Sequence, residues 1–514
     1  MPKNPSNDLF LLIRSLSNGE KVHLAKNVFK KGKKEPIYFR LFNLISKQNE
    51  YDEIFILRNF AGMSQTALSD KKYQLYNLIV NNLSERQKSL EAELRKMLNR
   101  IEFLYGKLLY DQAYEIVKKG KDICAKHEYF THLLLFSEWE HYIQTTLQLE
   151  DKFKKKSKGE LIKGMDAAIK KIKAVHEYHN LYLNIQHQER INFYRPGSKD
   201  IDPFTKYLHD PLLLTEPPTD APSLIKIYYY LCLSCVHVKN KNLQKVKTYL
   251  DKALSIFEKN ENIKADNPFD YISVLTRRAW AALVTDDIHT HGEILKKLIN
   301  FNILPTLAVK QYHFAISYIN LLRNYIYKTE FNKALVIIDE CKTKLKKENL
   351  NLESYHLIYL HFHFFLVYFE VGSFRQAGKE LAHISDKLKT ENYALDMQAF
   401  ARILSVIVCY EKKEYVILSS AARSVYRYLE KRKLLSNFEN ILLKSIDKSA
   451  YINSKEEQKQ HFILLKENLL KSCEKEYLRY ANSYFDFMSW IESKINNKNF
   501  GEVVKSKTIQ KSSK

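Results

Sequence analysis

Residues 368–377 have the sequence Tyr-Phe-Glu-Val-Gly-Ser-Phe-Arg-Gln-Ala, and this stretch decides the fold. An apolar run ends at Gly-Ser, a pair that suits a tight turn. After the turn come Phe374, then Ala377 three positions later, then Leu381 four positions further on. A small residue at 377 lets two antiparallel helices approach closely near the turn. The stretch therefore predicts the end of one helix and the start of its partner.

The same spacing occurs in six segments of the chain. They are Tyr110-Ala113-Val117, Leu243-Val246-Leu250, Ile288-His291-Leu295, Phe331-Ala334-Ile338, Phe374-Ala377-Leu381 and Tyr415-Leu418-Ala422. From Val246 onward the central positions are 45, 43, 43 and 41 residues apart, and the gap from Ala113 to Val246 is 133, about three periods. A period of this length is typical of arrays of stacked helix pairs.

The composition favours helices throughout. Only 12 Gly and 11 Pro occur in 514 residues, too few for a sheet-rich fold with many turns. Hydrophobic residues make up 45% of the chain, enough for a continuous core. The sequence therefore predicts an all-α fold, and more narrowly an α-solenoid of antiparallel helix pairs with repeats of about 43 residues.

Breaks in the helical pattern predict six regions. Six of the 11 prolines lie between Pro196 and Pro222, and proline disfavours helix at itself and at the residue before it. Near the end, Tyr480, Tyr484, Phe487 and Ile491 share one face of a single closing helix. The regions are an N-terminal helical block (1–85), a first repeat region (86–195), a Pro-rich connecting loop (196–222), the main repeat array (223–445), C-terminal capping helices (446–500) and a disordered basic tail (501–514).

The repeated stretches resemble the tetratricopeptide (TPR) repeat. Residues 368–377 have its Tyr, Gly, aromatic and Ala at matching spacing, and residues 324–334 are similar but lack the Gly. The usual repeat has about 34 residues, so each helix here would be about one turn longer. His291 and Leu418 depart from the small-residue position. The whole chain also resembles long TPR-like proteins of Bacteroidota bacteria, which implies no particular function.

The resemblance implies a binding groove lined by the first helix of each pair. This is the groove of a non-enzymatic scaffold for a protein or peptide. An acidic ligand is one candidate, because Arg or Lys could hold an acidic segment or a C-terminal carboxylate. Several of the aromatic positions could instead pack between helices. The groove positions that match are Arg95, Tyr105, Tyr228, Lys239, Trp280, Arg323, Tyr327, Tyr359 and Phe362.

The net charge of +23 permits a second function. A basic helical array could bind RNA or single-stranded nucleic acid, and residues 423–433 interleave basic and aromatic side chains as such a surface would. The same charge could be a solvated, lysine-rich surface, since only 17 of the 82 basic residues are Arg. Both interpretations remain open from the sequence.

The remaining sequence features predict a cytoplasmic protein without membrane insertion. The six cysteines are dispersed, as in a reducing compartment, and no secretory signal is visible. The longest apolar run, residues 357–369, is interrupted by His361 and His363. No motif predicts a catalytic residue, a metal ligand or a cofactor.

Overall fold

The computed structural model describes residues 5–29, 37–60, 62–86, 89–146, 158–191, 204–239, 242–348, 350–387 and 395–512. Within these ranges every regular element is a helix, so the prediction of an all-α fold is confirmed. None of the described helices is both long enough and apolar enough to span a lipid bilayer. The described chain divides into two compact units, Met1–Ile169 and Lys170–Lys514. The boundary between the units falls inside a helix of 34 residues, Lys158–Ile191.

The first unit contains eight complete helices and one π-helical turn in its described residues. The helices are α1 (Pro5–Ser15), α2 (Asn18–His23), α3 (Ile37–Ser46), α4 (Glu53–Arg58), α5 (Gln65–Glu85), α6 (Leu90–Gly106), α7 (Tyr110–His127) and α8 (Phe130–Thr146), and the π-turn is Leu24–Val28. Two cores hold them. One joins α1 and α3–α5 around Leu9, Ile45 and Ile79, and the other joins α6–α8 around Ile101, Val117 and Phe136.

Helix α9 (Lys158–Ile191) leads into the second unit. The helices that follow are α10 (Pro211–Leu214), α11 (Ser223–Lys239), α12 (Leu243–Lys259), α13 (Glu261–Asp266), α14 (Pro268–Val284), α15 (Ile288–Ile299), α16 (Leu307–Tyr327), α17 (Phe331–Lys347), α18 (Ser354–Glu370), α19 (Phe374–Lys387), α20 (Leu395–Glu411), α21 (Tyr415–Lys431), α22 (Asn437–Ser449), α23 (Lys455–Ser472), α24 (Lys475–Tyr484), α25 (Phe487–Ile495) and α26 (Phe500–Ser512).

Each of the six repeated segments begins the second helix of a packed pair. The pairs are α6–α7, α11–α12, α14–α15, α16–α17, α18–α19 and α20–α21. In all six, the first residue of the segment is the first residue of the second helix, and the two later residues are buried. Ala113, Ala334 and Ala377, for example, have no exposed surface. The spacing seen in the sequence is therefore the packing face of the second helix.

The turns between paired helices also repeat one geometry. In five pairs the residue two positions before the second helix has a positive φ: Leu108, Asp286, Thr329, Gly372 and Lys413, with φ between 55° and 75°. The next residue donates its backbone N–H to a carbonyl five positions earlier, as Ser373 does to Tyr368 over 2.8 Å and Glu330 does to Tyr325 over 2.9 Å. This is the Schellman pattern, which satisfies the free carbonyls at a helix end.

His291 fills the position that is alanine in other pairs. Its side chain is buried, and its Nδ1 lies 3.0 Å from the carbonyl oxygen of Ala279 in the facing helix α14. This hydrogen bond satisfies one ring nitrogen, whereas Nε2 is buried without a hydrogen-bond partner in the described structure. The pair α14–α15 thus keeps the common arrangement with a larger residue.

Parts of the predicted Pro-rich loop are ordered as short helices. A 3₁₀ helix spans Thr205–His209, and α10 begins at Pro211 behind the N-cap Asp210, whose side chain accepts the N–H of Leu212 over 3.0 Å. Proline is compatible with the first position of a helix, where its missing N–H is not needed. Phe204 and Leu213 anchor this segment in the core of the second unit. Residues 196–203 of the predicted loop lie outside the described part.

The C-terminal region differs from the prediction in two ways. The single closing helix is two helices, because the Asp486 side chain accepts the Ser489 N–H over 2.9 Å and starts α25 anew. The tail predicted to be disordered forms α26 up to Ser512, since Phe500 and Val503 are buried against the second unit. Residues 513–514 lie outside the described part. We refer to α24–α26 (residues 475–512) as the C-terminal segment.

Candidate functional site

The predicted groove positions of the second unit lie on first helices that pack side by side. Helix α14 contacts α16, and α16 contacts α18. Trp280 and Arg323 line one cavity of about 220 Å³ at the start of this row of helices. We call this cavity the Arg323 pocket. Its remaining wall is formed by Ser234, Val238, Val246, Leu250, Thr276 and Arg277.

Two arginines, Arg277 and Arg323, line this pocket. Of the two, Arg323 has no carboxylate partner among the described residues. Its Nε–H donates to Nε2 of His363 over 3.2 Å, and this is its one hydrogen bond within the described part of the chain. A guanidinium has five N–H donors in a fixed planar arrangement. Burial lowers the pKa of Arg323, yet an arginine stays charged in proteins. The pocket therefore has a positive charge with unused donors.

His363 supports Arg323 as a neutral acceptor. Burial, with the nearby charge of Arg323, lowers the pKa of His363 to about 3. Its Nδ1–H donates to the carbonyl oxygen of Tyr359 over 2.7 Å, which leaves Nε2 as the acceptor for Arg323. This arrangement fixes the ring tautomer and adds no negative charge beside the guanidinium.

Arg277 differs from Arg323 because it is already paired. Its two terminal nitrogens donate to the two carboxylate oxygens of Glu189 over 2.7 and 3.3 Å. Such a bidentate pair holds the guanidinium in one orientation. Arg277 therefore serves as a fixed wall of the pocket, whereas Arg323 keeps donors available for a ligand.

Thr276 adds a second unsatisfied group to the same cavity. Its Oγ1 is buried and has no hydrogen-bond partner in the described structure. Buried polar atoms are nearly always paired, so an orphan that lines a cavity points to a missing ligand or water. Thr276 could not be selected from the sequence, because a single threonine within a helical stretch is not a recognisable signal.

Two other candidates, Tyr228 on α11 and Tyr327 on α16, form hydrogen bonds within the chain. Tyr228 is buried, and its OH donates to Asp270 Oδ2 over 3.0 Å, so burial removes it from the groove predicted for it. Tyr327 is partly buried and its OH donates to Asp286, which is at the turn of the preceding pair. Lys239 ends α11, and its side chain lies outside the described part.

The sequence allows Tyr359 and Phe362 either to line the groove or to pack between helices, and in the structure both pack against the core that includes the C-terminal segment. Phe362 is 5% exposed and its ring packs edge-on against Tyr484, with centroids 6.3 Å apart. Phe400 on α20 stacks on the same Tyr484 at 4.4 Å. Tyr359 packs against this core as a partly buried residue. The first helices α18 and α20 thus bind a part of their own chain.

Arg95 and Tyr105 belong to the first unit. Arg95 is exposed and pairs with Glu91 one turn away over 2.8 Å. The Tyr105 OH lies 3.0 Å from Thr146 Oγ1, and its ring packs against Tyr110 and Trp139. Arg95 is accessible to a partner, and Tyr105 joins the helices α6, α7 and α8.

The basic and aromatic segment 423–433 lies mainly on α21. The guanidinium groups of Arg402 and Arg432 lie 4.0 and 4.7 Å from the ring centroid of Tyr428, whose OH donates to Gln398 over 3.1 Å. Tyr426 has Lys444 5.6 Å from its ring centroid. These rings therefore already contact cations of the same chain.

The groups that could perform covalent or metal chemistry are buried or dispersed. Cys232 and Cys235 are free thiols without exposure, and burial raises the pKa of Cys235 to about 12. A thiol of that pKa stays protonated at neutral pH and is a poor nucleophile. In the described ranges, no three His, Cys, Asp or Glu side chains are arranged to hold a metal ion.

No protein-family model matches this chain, and no curated protein or solved structure is significantly similar to it.

Proposed function

We propose that the chain is a cytoplasmic, non-enzymatic scaffold, a TPR-like α-solenoid that binds a peptide or partner protein along the first helices α11, α14 and α16. The Arg323 pocket is the anchor point of this groove, and it receives an acidic side chain or a C-terminal carboxylate. The main support is that Arg323 lines the cavity with unused N–H donors. The unpaired Thr276 hydroxyl lies within the same cavity wall but is itself buried.

Three features of the pocket suit such a ligand. The guanidinium can form two parallel hydrogen bonds to a carboxylate, and its charge is not neutralised by His363. The Thr276 hydroxyl can donate a further bond to an oxygen. Trp280 gives an apolar surface for the neighbouring side chain, and buried Trp and Arg side chains are frequent binding hot spots.

The repeat geometry supports the solenoid part of the proposal. In all six pairs the repeated segment begins the second helix and its central residue is buried, and that residue is alanine in three of them. Five pairs also share the positive-φ turn. Repeated units that pack only on their neighbours produce extended binding surfaces. The C-terminal segment occupies α18 and α20, which limits the groove to the earlier helices.

Affinity capture from the native host, followed by mass spectrometry, tests the proposal. The baits are the wild type, Arg323→Glu and Arg375→Glu, the last being a matched reversal of an exposed arginine on the second helix α19. We expect a partner that is retained by the wild type and by Arg375→Glu and is lost with Arg323→Glu. Equal retention by all three baits would reject the Arg323 pocket as the anchor.

The nucleic-acid alternative remains a prediction. Filter binding of single-stranded RNA at two salt concentrations separates the two functions, because phosphate contacts give a steep salt dependence. Tight, salt-sensitive binding that survives Arg323→Glu would favour the alternative.

A further inference from the structure

A second cavity lies where the C-terminal segment meets the pairs α16–α17 and α18–α19. Its volume is about 330 Å³. Four phenylalanine rings contribute to its wall: Phe331, Phe369, Phe374 and Phe500. The Phe369 ring is edge-on to both Phe374 and Phe500, with centroids 5.2 and 5.3 Å apart. We call this cavity the Glu370 pocket.

Glu370 is part of the same wall, and no hydrogen bond or ion pair of its side chain is found among the described residues. Its Oε2 is buried and makes no hydrogen bond within the described structure. Burial, with Asp486 as a nearby negative charge, raises the pKa of Glu370 to about 8. A desolvated carboxyl beside a second carboxylate avoids the cost of its charge by staying protonated, and a cation in the space next to it would favour the ionised form instead.

The local charge also favours a cation. The charged residues that line the cavity are Glu370, Glu502 and Lys505, and Asp486 adds a further negative charge. These four side chains sum to two negative charges when all are ionised, in a chain with a net charge of +23. Aromatic faces attract organic cations through their quadrupoles, and the attraction is stronger in a desolvated site.

We propose that the Glu370 pocket is a binding site for an alkylammonium group, such as a methylated amine, held by the Phe rings and by the Glu370 carboxylate. The site is separate from the Arg323 pocket and does not depend on the proposed scaffold function. The close fit of α26 closes one side, since a Cβ at Gly501 would lie 2.5 Å from the carbonyl oxygen of Glu370.

Binding is coupled to ionisation of Glu370. A cation favours the carboxylate form, so binding at neutral pH releases a proton from the protein. With a pKa of about 8, about a tenth of the sites are ionised at pH 7 and about nine-tenths at pH 9. We therefore expect the affinity for a permanent cation to rise roughly tenfold between these pH values.

Saturation-transfer NMR with tetramethylammonium on the full chain tests the proposal, with tert-butyl alcohol as the neutral probe of similar shape. We expect the cation to bind at least tenfold more tightly than the alcohol at pH 9. Glu370→Gln should lower the affinity at least tenfold and remove its pH dependence, while the exposed Glu467→Gln should leave both unchanged. Lys505→Ala should strengthen binding several-fold by removing a competing charge.

Circular dichroism of each variant checks that it folds. Equal binding of the two probes, or equal affinity of Glu370→Gln and wild type, would overturn the site. An affinity that does not change from pH 7 to pH 9 would remove Glu370 from it.

Discussion

The indole N–H of Trp490 donates to Glu411 Oε1 over 2.6 Å and so ties α25 to the end of α20. Lys494 donates to the other oxygen of the same carboxylate over 2.8 Å. The Trp490 ring is fully buried and is edge-on to Tyr410 and Phe462. The buried Trp490 ring and the Glu411 carboxylate thus join the C-terminal segment to the last repeated pair.

Trp490→Phe should destabilise the second unit by about 2–3 kcal/mol, because it removes a buried hydrogen bond to a carboxylate and leaves a cavity. Urea denaturation measures the change. The matched variant is Trp280→Phe at the partly exposed wall of the Arg323 pocket, which should change stability by less than about 1 kcal/mol. Equal losses in the two variants would contradict the role of Trp490.

Gly120→Ala should destabilise the first unit by about 1–3 kcal/mol, because the new Cβ would overlap the buried ring of Phe136 in the facing helix α8. The control is Gly164→Ala in α9, where a Cβ would meet no atom within 4 Å. That change should stabilise by about 0.5–1 kcal/mol, since alanine is the better helix former. Thermal unfolding of both variants measures the difference in sign.

Two equivalent turn positions, Thr329 and Gly372, allow a reciprocal test of backbone strain. Thr329 has φ 55° at the turn position where another pair has Gly372 with φ 75°. Thr329→Gly should raise the free energy of unfolding by about 1 kcal/mol, because a β-branched residue is strained at positive φ. Gly372→Ala should lower it by a similar amount. If both changes destabilise, backbone strain is not what distinguishes these turns.

Acid should destabilise the second unit through His363. Its pKa is about 3 in the folded chain and 6.5 as a free side chain, so the unfolded chain binds a proton that the folded chain does not. The contribution is complete above pH 6.5 and is lost as pH falls toward 3, by up to about 1.4 kcal/mol per pH unit. His363→Gln should reduce the loss of stability between pH 7 and pH 5 by about 2 kcal/mol. An unchanged pH dependence in urea titrations would contradict this assignment.

The sequence predicted the paired helices because their signal is local. Phe374 and Ala377 are three residues apart, so one turn of helix determines both of their positions. The partner of the C-terminal aromatic face could not be predicted in the same way. Tyr484 and Phe362 are far apart in the chain, and their apolar pattern shows that each is covered without showing by what.

The candidate site was predicted in part for the same reason. Arg323 matches a groove position of the repeat that the sequence resembles, and in the structure it lines a pocket. Phe362 had an equally plausible pattern but packs inside the core. Arg323 is partly exposed and Phe362 is buried because of how the helices pack on one another. Helical periodicity does not specify that packing. The polar composition of residues 501–514 predicts disorder. Val503 within this range and Phe500 just before it are nevertheless buried, and their burial holds the helix in place.

The most direct test of carboxylate binding in the Arg323 pocket is the affinity of the protein for a peptide. Random peptides with free C-termini are selected against the wild type, and the best binder is measured by fluorescence anisotropy with Arg323→Glu, Arg375→Glu and the amidated peptide. We predict at least a thirtyfold weaker binding by Arg323→Glu, weaker binding at higher salt, and a change below twofold for Arg375→Glu. Loss on amidation identifies the terminal carboxylate as the ligand, and loss only on replacing Asp or Glu identifies a side chain. An affinity unaffected by Arg323→Glu would contradict the account.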